Sequence, residues 1–135
     1  MCARPLNVLR VITRMPVGGI ERKIVAVLPR LARERFRVRL VCLHERGPLA
    51  EELERAGVPV DLCPLASRLS PSGIARLAGL MRRHRTDIVH THMYRSNVPA
   101  TVAARMAGVP VVIAPIHNVS TWETRRQRWM DRFLC

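Results

Sequence analysis

Short apolar runs rich in β-branched residues alternate along the chain with longer stretches whose apolar positions recur at helical spacing. Five runs carry the strand pattern: residues 7–13, 38–43, 58–62, 87–91 and 109–114. Between them, Ile24, Val27, Leu28 and Leu31 share one helical face within residues 20–35, and Ile74, Leu77, Ala78 and Met81 share another further on. Strand and helix repeated in this order predict βαβ units: an α/β fold, a Rossmann-like parallel sheet with helices on both faces.

Turn-forming residues punctuate the pattern. Pro16-Val-Gly-Gly19 follows the first strand, and Pro29 bends or splits the first helix. Gly47-Pro48 marks a loop before a short acidic helix over 49–56, which Gly57 closes. Pro59 assigns the third strand to an edge, or itself to an early strand position. Ser70 and Pro71 supply the cap and first-turn proline of the next helix. Gly108 ends a helix over 96–106, and the run after it is almost wholly apolar, as expected of a central strand covered on both faces. A loop over 116–120 then leads to a last helix carrying Trp122, Trp129, Met130 and Phe133, an apolar stripe that needs something to cover it.

Composition narrows the class. A chain of 135 residues with 48% hydrophobic content can bury a real core, which excludes intrinsic disorder. Cys2, Cys42, Cys63 and Cys135 are widely spaced without a C-x-x-C pair, so reduced, partly buried thiols are expected rather than a zinc ribbon or disulfide scaffold. The first apolar run is broken by Arg10 and Arg14, unlike a signal peptide, and no window approaches the roughly 18 apolar residues of a spanning helix. A cytoplasmic protein is expected.

The formal net charge of +13, nearly all arginine, attracts polyanions, anionic lipid or phosphate-bearing substrates. Residues 82–85 (RRHR) suit anionic headgroups or nucleic acid, but a solvated basic helix end is the favoured reading, since cations also suit helix C-termini. Aromatic content of 4% speaks against base-stacking platforms, and no nucleic-acid partner is expected.

In open parallel sheets ligands bind at the carboxyl ends of the strands. After the first strand, Gly18-Gly19 opens a helix whose free N–H groups and dipole favour a phosphate. The pair fits neither G-x-G-x-x-G nor the phosphate-loop lysine motif, and turn geometry alone is the commoner account of such a pair. Glu21 fits a first-turn acid. His90 and His92 share one face if the strand stays extended, yet two histidines without a third ligand make a poor metal site. On the structural reading, His90 packs at the strand end and His92 lines the loop. His117, just past the fifth strand, is either a base or donor at the mouth of the sheet or a structural histidine. No Ser-His-Asp or Cys-His arrangement can be assembled.

In order and spacing, residues 15–22 (MPVGGIER), 87–92 (DIVHTH), 107–113 (AGVPVVI) and His117-Asn118 resemble the N-terminal domain of family 4 glycosyltransferases. The resemblance runs from about Leu6 to the end of the chain. It implies the acceptor-side half of a two-domain GT-B enzyme. Such an enzyme retains anomeric configuration and uses a nucleotide-sugar donor, a glycan or lipid-linked acceptor, and neither metal nor cofactor. By position, Gly18 and Gly19 match the glycine loop near the donor phosphates. His117 matches the active-site histidine and is the expected catalytic residue, while His92, Arg95 and Asn118 fall in neighbouring loops and are expected to bind substrate or phosphate. Residues 1–135 would then be a domain incomplete at its C-terminal end, lacking the donor-binding domain and inactive alone. The competing reading is a stand-alone basic module that binds anionic membrane or nucleic acid. Peripheral contact with a cytoplasmic membrane face is compatible with both.

Overall fold

A computed structural model of the chain describes residues 3–31 and 33–115. Nine elements follow in βα alternation: β1 (Leu6–Ile12), α1 (Gly19–Val27), β2 (Phe36–Cys42), α2 (Pro48–Arg55), β3 (Val60–Leu62), α3 (Pro71–Arg83), β4 (Ile88–Thr91), α4 (Tyr94–Ala107) and β5 (Val111–Ile113). The strands form one sheet in the order β3-β2-β1-β4-β5, every pair parallel.

Alternation along the strands divides the core between two faces. Leu9 and Val11 of β1 join Val41 and Val89 under α3 and α4, against Leu77, Met81, Ala100 and Ala104. Ile12 joins Leu40, Cys42 and Val60 on the other face, under Ile24, Leu28 and Leu53. The stripe Ile74, Leu77, Ala78 and Met81 is buried throughout, as its spacing predicts. At the start of α3 the Ser70 hydroxyl accepts a bond from Gly73 N at 3.4 Å, and Gly108 ends α4 with φ 73°.

Two expectations are corrected. The face that α1 buries runs through Glu21, Ile24 and Leu28, so Val27 is left 42% exposed. Pro29 has no N–H to continue the ladder, and the helix tightens at Val27 into a 3-10 turn, Leu28–Arg30. The apolar run at 109–114 is no central strand of the described sheet. β5 is its outermost strand beside β4, with Val111 44% and Ile113 43% exposed. An unbroken apolar run marks burial on either face without saying which neighbours supply it. β3 lies at the opposite edge, with Pro59 immediately before it, as the proline suggested.

Cys42 and Cys63 are free and buried, and burial pushes the Cys42 thiol up to about 12, which leaves it inert at neutral pH. Among the described residues no helix is long and apolar enough to cross a membrane.

The start of β4 is clasped to the chain's beginning. Asp87 accepts two bonds from Arg4, at 2.8 and 2.6 Å, and one from Asn7 N at 2.8 Å. The Arg4 bond, then the Asn7 N–H, hold its carboxyl below the ordinary range against the opposing effect of burial. A depressed folded-state pKa stabilises above the unfolded value and is lost as pH falls through the folded one. Asp87→Asn is therefore expected to be less stable than the parent at pH 7. Urea titrations across the pH range should find that the gap narrows as pH drops below about 4.

Candidate active site

The strand order reverses between β1 and β4: β2 and β3 extend the sheet to one side, β4 and β5 to the other. A crevice opens at such a switch point, because the loops leaving the two strands turn to opposite faces. The pairing of Val11 with Thr91 continues one step, His92 N donating to Val11 O at 2.8 Å. The β1–α1 and β4–α4 loops therefore leave side by side, about 4.8 Å apart.

The loop after β1 is held from the side by the loop after β2. Leu43 N and His44 N donate to Ile12 O and Thr13 O, each at 2.9 Å, and Leu49 N donates to Met15 O at 3.3 Å. Contact this close has no room for a side chain at Gly47, whose φ is +70° and whose Cβ would collide with the Met15 carbonyl.

Gly18 and Gly19 are glycines for different reasons. Gly18 caps α1 with extended torsions (φ −147°) that any residue can adopt, but a Cβ there would strike the carboxylate of Glu21. Glu21 is the first-turn acid its position suggested, and it is buried beneath the loop. At Gly19 a Cβ would meet nothing within 4 Å, and the residue is exposed in the first turn of α1. Nothing in the described chain requires a glycine there.

Around β4, Met93 holds φ 71° and ψ 148°, a conformation that costs a residue with a side chain about 1–3 kcal/mol. The neighbourhood fixes it. The buried Ser96 hydroxyl donates to His92 O, Ser96 N donates to Met93 O at 3.2 Å, and the Thr91 hydroxyl donates to Asn97 Oδ1 at 2.5 Å. These bonds start α4 at Tyr94, two residues earlier than expected, and leave Arg95 exposed in its first turn. That turn has no acidic residue and no side-chain cap, so its positive dipole end and Arg95 together favour an anion.

His90 and His92 do share a face, their rings stacked with centroids 4.9 Å apart. His92 is only 6% exposed, beneath the rim and not lining an open loop. Behind the pair lies Arg10, paired with His90 in the sheet and donating from Nη1 to His90 Nδ1. Burial lowers the Arg10 pKa to about 10, so it stays charged at neutral pH, and among the described residues no carboxylate pairs with it. Two strand residues below the rim, at roughly 10 Å and an effective dielectric of about 20, such a charge attracts each negative charge in the crevice by about 1.7 kcal/mol. The sequence treats Arg10 only as a break in an apolar run; its alternation with Val8 and Ile12 was the signal that it points into a covered face.

Gly18 and Gly19 thus follow β1, and His92 and Arg95 follow its neighbour β4, at the same end of the sheet. His117 and Asn118 lie outside the described residues. Among the described residues no three His, Cys, Asp or Glu side chains gather as a metal ion would require.

A parallel sheet with an anion-favouring rim at its switch point fits a sugar-transferring domain, and the sequence match identifies which kind. Residues 18–135 match the family described as "Glycosyl transferase 4-like domain", and the chain belongs to that family. It is 31% identical over 132 residues to the UDP-Gal:alpha-D-GlcNAc-diphosphoundecaprenol alpha-1,3-galactosyltransferase of Escherichia coli, an alignment covering 90% of this chain and 34% of that protein. The fold is similar to that of a glycosyltransferase from Rickettsia africae, with TM-score 0.73, 19% identity, and coverage of 98% of this chain and 35% of the other. It is also similar to Anabaena Alr3699/HepE in complex with UDP, with TM-score 0.66, 16% identity, and coverage of 93% and 33%. The chain spans about a third of the length of these proteins.

The two glycines separate by substitution. Gly19→Ala is expected to leave stability unchanged or raise it by up to about 1 kcal/mol, since alanine is the better helix former. Gly18→Ala should cost about 1–3 kcal/mol by displacing Glu21. Equal losses in denaturant titrations would mean that Gly19 too is held by the fold.

Proposed function

We propose that the chain forms the acceptor-side wall of a retaining glycosyltransferase, which moves a sugar from a nucleotide-sugar, UDP-linked in the first instance, to a glycan or lipid-linked acceptor. The observation that carries this reading is Gly19: a glycine without an internal reason, in the first turn of a helix, beside a second helix N-terminus that bears Arg95 and no acid. Two relatives support the choice of substrates. The Escherichia coli protein is named for UDP-Gal and a diphosphoundecaprenol-linked acceptor, and the Anabaena structure contains UDP.

On this reading, departure of the nucleoside diphosphate concentrates negative charge at the crevice as the sugar carbon becomes oxocarbenium-like. Fixed N–H groups at the start of α1, the unneutralised end of α4 with Arg95, and the Arg10 charge behind His90 stabilise that charge without having to reorganise. Gly18 and Gly19 let the diphosphate approach the backbone. His92, beneath the rim, acts by supporting the crevice floor, while His117 and Asn118 contact the sugar and acceptor. The reaction needs no metal. The opposite, donor-holding wall comes from outside the described domain, so catalysis belongs to the two walls together. The protein works in the cytoplasm, at the membrane face where lipid-linked acceptors present their head groups, in the assembly of cell-surface polysaccharide. A stand-alone basic binding module would account for the charge but not for Gly19.

The test is transfer from UDP-galactose to a polyprenyl-diphosphate-linked GlcNAc acceptor by the whole encoded protein in the presence of EDTA. Product is expected, His117→Ala should lower turnover by about 10²–10⁴-fold, and Gly19→Ala should lower it while the fold stays intact. Unchanged turnover in His117→Ala would remove that histidine from the chemistry. Failure with every nucleotide-sugar, together with salt-sensitive binding to anionic vesicles, would return the advantage to the binding module.

A further inference from the structure

At the other end of the sheet, some 20 Å away along β1, a cleft of about 460 Å³ opens between the N-terminal ends of β1 and β2 and the connections that enter β2 and β4. Its apolar lining includes Leu28, Leu31, Phe36 and Val58. Arginines stand around it. Arg39 is occupied, donating to Asp61 Oδ2 at 3.0 Å, and the same oxygen lies 3.6 Å from His84 Nε2. Arg33 and Arg37 are exposed and form no ion pair or side-chain hydrogen bond with the described residues. The Arg33 guanidinium lies over Gly57, where a Cβ would come within 2.8 Å of Nη2. Gly57 has φ +91°, so both torsion and space favour glycine under that arginine.

Unpaired surface arginines are ordinary in a chain of this charge. What sets the cleft apart is Thr86 in its wall. The residue is 7% exposed, and its hydroxyl is buried without a hydrogen-bond partner. A buried polar group in that condition costs about 1–3 kcal/mol, a cost that is relieved if the side chain turns its hydroxyl toward a ligand in the cleft. Burial, and next the nearby Arg39, hold the His84 pKa below its ordinary value against the pull of Asp61, so its ring adds little charge of its own at neutral pH.

We propose that this cleft is a second binding site, separate from the sugar-transfer crevice, for a phosphate group attached to an apolar moiety. Arg33 and Arg37 grip the phosphate, Thr86 turns its buried hydroxyl toward it, and Phe36 and Leu31 cover the apolar part. Planar guanidinium donors are well suited to phosphate oxygens. The phosphate belongs either to a soluble monoester or to an anionic phospholipid head group. Both present the same chemistry to the cleft, and the proposal does not depend on the reaction at the opposite end.

Calorimetric titration with phenyl phosphate and with inorganic phosphate, UDP being present to occupy the sugar-transfer crevice, tests it. Phenyl phosphate is expected to bind more tightly than inorganic phosphate. Arg33→Gln/Arg37→Gln should weaken its binding at least tenfold, while Arg22→Gln/Arg55→Gln, which removes equal charge elsewhere, should change it less than twofold. Thr86→Val, nearly isosteric, should weaken it by about threefold with unchanged circular dichroism. Sedimentation with phosphatidylglycerol vesicles but not phosphatidylcholine vesicles, abolished by the Arg33/Arg37 pair, would identify the source as lipid; phenyl phosphate binding without sedimentation would identify a soluble ligand. Equal losses in the two arginine pairs, or no loss in either, would overturn the site.

Discussion

β1 pairs along its whole length with β2 and over Val8–Val11 with β4, and both neighbours run parallel to it. Parallel neighbours require crossover helices, and strands laid to the left and right of a common strand send those helices to opposite faces. The two cores, the position of α1 and α4, and the crevice between their starts all follow from this arrangement. The His92 N to Val11 O bond carries the pairing one residue past the strands and so determines how closely the two rim loops leave the sheet.

Once the loops start together, local chemistry opens them toward an anion. Gly47 lets the β2–α2 loop press on Met15, Glu21 fills the space under Gly18, and Ser96 and Thr91 hold Met93 in a costly conformation. Strain of this kind persists only where its surroundings over-determine it. The two helix starts differ in the same sense: α1 has its acid turned inward, and α4 has none. With Arg10 behind His90, the rim is positive by construction rather than by the average charge of the chain.

Much of the fold was legible in the residues because the forces involved are local. Ser70 and Pro71 start a helix and Gly108 ends one through their own torsions and hydrogen bonds, and the stripe from Ile74 to Met81 needs only a 3.6-residue repeat. Val27 and the run at 109–114 were misread because burial depends on a partner that periodicity does not specify. At the candidate site, the residue types and their order were legible through the resemblance, and Gly18, Gly19, His92 and Arg95 follow two adjacent strands at one end of the sheet. The depth of His92 and the half-buried cation of Arg10 were not, since both depend on which strands become neighbours.

By itself, the sequence determined the α/β alternation, the helix boundaries marked by Pro29, Ser70 and Gly108, and membership of a glycosyl transferase 4-like family. Only the tertiary structure showed that two adjacent glycines differ, a Cβ at one displacing the Glu21 carboxylate and a Cβ at the other meeting open space. It also decided that Arg33 and Arg37 stand beside Thr86, buried, unsatisfied and distant from them in sequence, at the far end of the sheet. The physical reason is the same in both cases. Torsional preference and periodicity are written into a few successive residues, whereas room, burial and unmet hydrogen bonds exist only between segments that the chain has folded together.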